Sequence, residues 1–164
     1  MAKIERKYLA HYIDASFGAT ETEYVRLGKD LEEFNDQLNP EIEVKQNILG
    51  EQNVVHNGYA VQADVEPYMA EYDDPLFEQL AKIANERLTG DACITTQVDV
   101  LLAADGKVEW AYREKVWVVP TAFGGDTSGV QIPFSIYSAG ERVSGSWDIA
   151  TKTFTEATAT PAAS

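Results

Sequence analysis

Asp74-Pro75-Leu76-Phe77-Glu78-Gln79-Leu80-Ala81-Lys82-Ile83-Ala84-Asn85-Glu86-Arg87-Leu88-Thr89, followed by Gly90, is the stretch on which the fold turns. Asp74 can accept hydrogen bonds from the first free backbone N–H groups of a helix. Pro75 suits the first helical position, where its missing N–H costs nothing. Leu76, Leu80, Ile83, Ala84 and Leu88 recur at helical spacing and make one apolar stripe. Gly90 is placed to stop the chain. The pattern predicts a helix over 74–89. Nearly everything else reads as strand and turn, so the stripe has only a sheet to bury itself on.

Working outward, residues 92–103 form a strand rich in Thr, Val, Leu and Ile. Asp105-Gly106 is a two-residue hairpin signal, and 108–121 is the return strand, carrying Trp110, Tyr112, Trp117, Val118 and Val119. Val130, Ile132, Phe134 and Ile136 alternate with other residue types, as do Val143, Gly145, Trp147 and Ile149, and Phe154 opens a last short strand. Gly124-Gly125-Asp126, Ala139-Gly140-Glu141 and Ala150-Thr151-Lys152 supply the turns. On the other side of the helix, 7–15, 23–27 and 59–65 read as strands, with Gly28-Lys29-Asp30 as turn chemistry. Glu41, Glu43 and Lys45 alternate with Ile42 and Val44, which suggests an exposed strand. Residues 47–58 carry Ile48, Leu49, Val54 and Val55 with no period of their own, and are compatible with a long loop. Loops of that length are usually functional or paired with something. The expected architecture is mainly β and antiparallel, in one domain over 1–155, with a low-complexity tail over 156–164.

The chain has 164 residues and a formal charge of −14, from 13 basic and 27 acidic side chains. A domain of this size buries enough surface to need no disulfide or metal staple. A phosphate-gripping protein should be basic, and this one is the reverse. Either the acidity serves solubility alone, or it marks a surface that meets nucleic acid without holding it. The N-terminus has no apolar run of a secretory signal, and no apolar stretch approaches bilayer length.

No catalytic constellation is legible. His11 and His56 with the lone Cys93 make no zinc site unless carboxylates help, so they read as structural residues and no metal or cofactor is expected. Cys93 reads as a buried, inert thiol. Asp73-Asp74 is explained by helix capping. Asp64 and Glu66 share a strand face, yet chance acid pairs are expected among 27 carboxylates. Gly124-Gly125-Asp126-Thr127-Ser128-Gly129 lacks the Lys-Ser/Thr ending of a phosphate loop and reads as a hairpin turn. The aromatic residues alternate within strands and read as core or interface.

Laid out in order, Tyr12-Ile13-Asp14, Gly28-Lys29-Asp30-Leu31-Glu32, Leu38-Asn39-Pro40-Glu41, Lys45-Gln46-Asn47-Ile48-Leu49-Gly50-Glu51, Val65-Glu66-Pro67-Tyr68, Asp74-Pro75-Leu76-Phe77, Arg87-Leu88-Thr89-Gly90, Gly124-Gly125-Asp126-Thr127 and Gln131-Ile132-Pro133-Phe134 resemble the major tail (tail tube) proteins of siphophages and related prophages of Gram-positive bacteria. None of these is a chemical signature. Their order and spacing over about residues 8–155 carry the likeness.

The resemblance implies a β-sandwich with one flanking helix and a long loop or hairpin reaching neighbouring subunits. It implies a structural subunit without catalytic residues, forming hexameric rings that stack into a tube for DNA ejection. The implied partners are copies of itself, a tape-measure protein, tail-terminator and distal-tail proteins, and DNA in transit without specific binding. No membrane is involved, and the implied setting is the virion tail, with assembly in the host cytoplasm. Leu38, Asn39, Pro40, Asn47, Ile48, Leu49, Val54 and Val55 are the expected interface residues. Asp64, Glu66, Asp99 and Glu109 are the exposed strand acids expected as candidates to face a lumen. A tube protein of a contractile tail, tail-like bacteriocin or secretion-type machine remains the alternative, and an acidic β-barrel that binds a small ligand is a third reading.

Overall fold

The computed structural model describes residues 3–18, 21–28, 31, 33–138 and 140–157. Lys29, Asp30 and Ala139 of the expected turns, and the tail beyond Ala157, lie outside them. The elements are β1 (Leu9–Asp14), β2 (Tyr24–Leu27), β3 (Pro40–Gln46), β4 (Gln52–Tyr59), β5 (Gln62–Val65), α1 (Pro75–Glu86), β6 (Ile94–Leu102), β7 (Val108–Pro120), β8 (Gly124–Asp126), β9 (Gly129–Gln131), β10 (Phe134–Ser138), β11 (Val143–Asp148) and β12 (Thr153–Glu156). Every strand pairing is antiparallel, and the chain is mainly β with one α-helix.

The main sheet runs β12-β11-β7-β6-β1-β2, and the long β7 makes it fork. One edge of β7 pairs with β6. On the other edge, residues 111–113 pair with β11 and residues 116–120 with β10, which in turn carries β5. The sheet curls into a half-barrel. Four strand spacings separate β11 from β2, about 19 Å in a flat sheet, yet the rings of Trp147 on β11 and Tyr24 on β2 lie 5.3 Å apart. Trp147 also meets Tyr12 at 4.5 Å. Alternation places Ala10, Tyr12, Val98, Val100 and Ala111 beneath these rings as one core.

The opposite face of the sheet holds the second core, where Ile13, Val116, Val118, Phe134, Ile136, Ala63 and Val65 pack with Leu76 and Leu80 of the helix. Asp74 starts the helix as expected: its Oδ1 accepts from the Leu76 N–H at 3.0 Å, and its Oδ2 accepts from the Tyr68 hydroxyl at 2.7 Å. The helix stops earlier than the sequence pattern implied. Arg87 adopts the left-handed conformation (φ 55°) as the C-cap, and the Leu88 N–H bonds back to the Ile83 carbonyl at 3.1 Å. These bonds close the last turn without glycine, so Leu88 leaves the stripe. Gly90 instead opens a short 3-10 turn, Gly90–Cys93, that feeds β6.

Two other expectations need correction. Residues 47–58 are not one long loop: 52–59 form β4, paired with β3 over Pro40–Gln46. The strand expected over 59–65 divides, with Tyr59 ending β4 and Gln62 starting β5. The glycine-rich segment at 124–129 is the expected hairpin, β8–β9.

Candidate functional site

The β3–β4 hairpin stands apart from the main sheet. It forms a two-stranded sheet of its own. Register puts Ile42 opposite His56 and Val44 opposite Val54, so these four share a face. Glu43 and Lys45 occupy the other face and pair across 3.8 Å. The arm is therefore amphipathic, and its apolar face is exposed at Ile42, Val44 and Val54. Local chemistry builds the tip. The Asn47 side-chain oxygen accepts from the N–H groups of Leu49 at 2.9 Å and Glu51 at 3.0 Å, and the Asn47 N–H donates to the Glu51 carbonyl at 3.0 Å. Gly50 takes φ 80°. This turn leaves Ile48 fully exposed, at 102% of its reference area, with Leu49 beside it.

An isolated two-stranded hairpin is marginal in water, and clustered exposed apolar residues mark interaction surfaces. The expected interface residues fall into place on this arm: Asn47, Ile48 and Leu49 at its tip, Val54 and Val55 on β4, and Leu38, Asn39 and Pro40 at its root. Asn39 serves the root itself, donating to the Ala60 carbonyl at 3.0 Å. Gln37 and Gln62 exchange backbone hydrogen bonds of 2.8 and 3.0 Å, which tie the root to β5.

The four acids divide. Asp64, Glu66 and Glu109 are exposed. Asp64 accepts from the Ser135 hydroxyl at 2.6 Å across the β5–β10 pair. Asp99 is a correction: it is 2% exposed, so it cannot form a surface wall. Register explains the difference, because Asp99 lies opposite His11 on the face that the 33–38 segment covers.

Asp99 belongs to a buried polar cluster that sequence reasoning missed. His11 Nδ1 lies 2.5 Å from Asp99 Oδ1, and His11 Nε2 lies 3.0 Å from Arg6 Nη2. A guanidinium only donates, so Nε2 accepts and Nδ1–H donates to the carboxylate. Gln97 Nε2 donates to Asp99 Oδ1 at 2.9 Å and reaches Asp36 Oδ1 at 3.5 Å. Arg142 Nη1 bridges Asp99 Oδ2 and Glu114 Oε1, both at 2.9 Å. Phe34 covers the His11 ring at 4.5 Å. Burial would raise the Asp99 carboxyl, but the His11 hydrogen bond, with Gln97 and Arg142, brings it below the ordinary value. Asp36 is pushed up by burial and then by the Asp99 charge. Glu114 is raised by burial, partly offset by Arg142. These residues lie far apart in sequence, and only strand register unites them.

A cleft of about 1210 Å³ runs between the end of α1 and the β8–β9 hairpin. Its one carboxylate, Asp126, is held below its usual range by hydrogen bonds from Ser128, and no convergent acid–base pair lines it.

No family model matches this chain, and no curated protein matches it. Solved structures do. The sheath/tube terminator of an extracellular contractile injection system (PVC, extended state) matches with a TM-score of 0.57 at 7% identity, covering 89% of this chain and 99% of that one. The tube terminating cap of the anti-feeding prophage matches with 0.56 at 9% identity, covering 88% and 91%. A chain of the PVC sheath–tube complex matches with 0.52 at 8% identity, covering 87% and 90%. At these identities the likeness is one of fold: the chain has a tail-related fold, shared nearly end to end with components of contractile injection systems.

Proposed function

We propose that the chain is a ring-forming structural component of a tail-like injection particle, sitting coaxially with a tube, and that its work is assembly rather than catalysis. The observation that carries this is the β3–β4 arm: an amphipathic hairpin with an exposed apolar face and an apolar tip, on a fold shared with tube-end and sheath–tube components. Such an arm gains stability only by pairing with a neighbour, and copies around a ring offer a self-complementary solution.

Two of the three structural neighbours are a terminator and a terminating cap, which favours a place at the end of a contractile machine's tube, against tube and sheath subunits. The sequence resemblance to siphophage tail tube proteins favours the other reading, a subunit repeated along a non-contractile tube that conducts DNA. In either position the −14 charge keeps a polyanion in transit from adhering. The small-ligand reading has no convergent acid–base pair in the cleft beside the β8–β9 hairpin to support it.

Negative-stain microscopy of Ile48→Asp/Leu49→Asp tests the proposal. The variant should keep the circular dichroism spectrum and melting midpoint of the natural chain and lose higher-order assembly. Unchanged rings or tubes would remove the arm from the argument. With the natural sequence, single rings that do not stack speak for the terminator, and long tubes speak for the tube subunit.

A further inference from the structure

The cluster beneath the root of the arm has an uncompensated charge. Asp36, Asp99 and Glu114 bring three carboxylates, and the Arg142 guanidinium is the cation that touches them, spanning Asp99 and Glu114. Arg142 engages the outer oxygen of Asp99, Oδ2, and leaves Oδ1 turned toward His11, Gln97 and Asp36. One ligand atom each from His11, Asp36 and Asp99 lies within 4.8 Å of the others. A second observation points the same way. Gln97 is fully buried, its amide nitrogen lies against both aspartates, and its Oε1 has no partner among the described residues. Burying an amide oxygen without a partner is costly. Half a turn about the last side-chain torsion would bring that oxygen where the nitrogen now lies, facing the carboxylates. There a cation held between the oxygens makes the arrangement favourable.

We propose that His11, Asp36, Asp99 and Gln97 form a binding site for one divalent transition-metal ion, such as Zn²⁺, that fastens the root of the β3–β4 arm to the main sheet. The donor set is one imidazole nitrogen, two carboxylate oxygens and one amide oxygen; the imidazole is what favours zinc and its neighbours, since the oxygens alone also suit manganese, calcium or magnesium. Zinc bonds of about 2.0–2.2 Å set tetrahedral donors roughly 3.3–3.6 Å apart, so the His11–Asp99 pair, now 2.5 Å apart, opens slightly and the most distant donor moves inward by about 1.5 Å at most. Asp36 supplies that movement, since it lies on the half-buried segment before β3 rather than in the sheet. The Nδ1 proton that now bridges to Asp99 is displaced, and the ring binds as its other neutral tautomer, Nε2–H. Arg6 then releases Nε2 and keeps its bonds to the carbonyls of Leu9, at 2.6 Å, and Phe34, at 3.2 Å. A cleft of about 710 Å³, lined by Asp36, Leu38, Tyr59, Glu114 and Arg142, gives the ion an entry path from the arm's root. The site reaches three elements of the fold: His11 on β1, Gln97 and Asp99 on β6, and Asp36 at the root. Its occupation stiffens the arm that the proposed function relies on, but the site is present in the single chain and does not depend on assembly.

The test is a titration of the untagged, chelator-treated chain with Zn²⁺ by calorimetry, and with Co²⁺ by visible absorption. One ion per chain is expected, with a raised melting midpoint and a cobalt d–d band. Asp36→Asn and Asp99→Asn should each weaken Zn²⁺ binding at least about tenfold, and His56→Gln should leave it unchanged. Asp36→Asn removes a charge at a half-buried, non-sheet position, so it folds and keeps the comparison interpretable. Absence of saturable binding up to about 1 mM Zn²⁺, or equal binding by Asp36→Asn, overturns the site. Loss of assembly by the arm-tip variant does not bear on this outcome.

Discussion

Leu80→Ala is the perturbation whose size follows most directly from the structure. Leu80 is 0% exposed and sits between the helix and the β7 face, in one cluster with Val116, Val118 and Phe134. The substitution deletes the transfer free energy of the lost methyl groups and leaves a cavity, together about 2–5 kcal/mol. Collapse of that cavity is restrained at both ends of α1. Asp74 caps the start and is itself held by Tyr68, and the Arg87–Leu88 turn fixes the end. The cost should therefore fall in the upper half of the range. For a domain of this length 1 kcal/mol corresponds to about 2–4 °C, so the midpoint should drop by about 6–20 °C. The assay is thermal and urea unfolding by circular dichroism at a concentration where the chain is not assembled. Leu88→Ala, half-buried and outside the helix, is the control and should cost less than about 2 kcal/mol. If Leu80→Ala shifted stability by no more than that control, the helix face would not be core and the two-layer packing described above would be wrong.

The aromatic core makes a second claim. Trp147 is buried against Tyr12 and Tyr24, but its indole N–H has no partner among the described residues, so Trp147→Phe should be much milder than Trp147→Ala, which should cost about 3–5 kcal/mol in chemical denaturation. Gly145 has no room for a side chain: an added Cβ would meet the Thr155 carbonyl oxygen at 2.3 Å. Gly145→Ala should cost about 1–3 kcal/mol and weaken hydrogen-exchange protection along β12 first. Cys93 is buried and its thiol is pushed up by that burial. Its thiolate is disfavoured in the fold, so a disulfide reagent at pH 8 should react at the rate of unfolding, and fast labelling of the folded chain would contradict the placement.

The elements legible in the sequence were those with a strong local period or a cap. Asp74, Pro75 and the Leu76–Leu80–Ile83 stripe announced the helix, and alternation around Asp105-Gly106 announced the β6–β7 hairpin. The helix end was not legible, because Arg87 closes it in a conformation that sequence rules reserve for glycine or asparagine. β4 was hidden for another reason. Val54 and Val55 are adjacent, so a strand exposed on both faces shows no alternation, and its order comes from pairing with β3. The forked curl of the sheet depends on β7 serving two partners on one edge, which no local window contains. Ile48 and Leu49, singled out in the sequence as apolar residues without a period, stand exposed at the arm tip. The buried cluster was not, since His11 and Asp99 meet only through the register of β1 on β6, and a strand acid at 99 looks no different in sequence from the exposed acids at 64 and 109.

The central claim is that this chain assembles into rings through its arm. Sedimentation velocity over a rising concentration series, followed by cryo-electron microscopy of the largest species, tests it most directly. The account predicts a closed ring in which Ile42, Val44, Ile48 and Leu49 are buried against a neighbouring copy. A single monomeric species at every concentration, or a ring whose arms stand free in solvent, would contradict it.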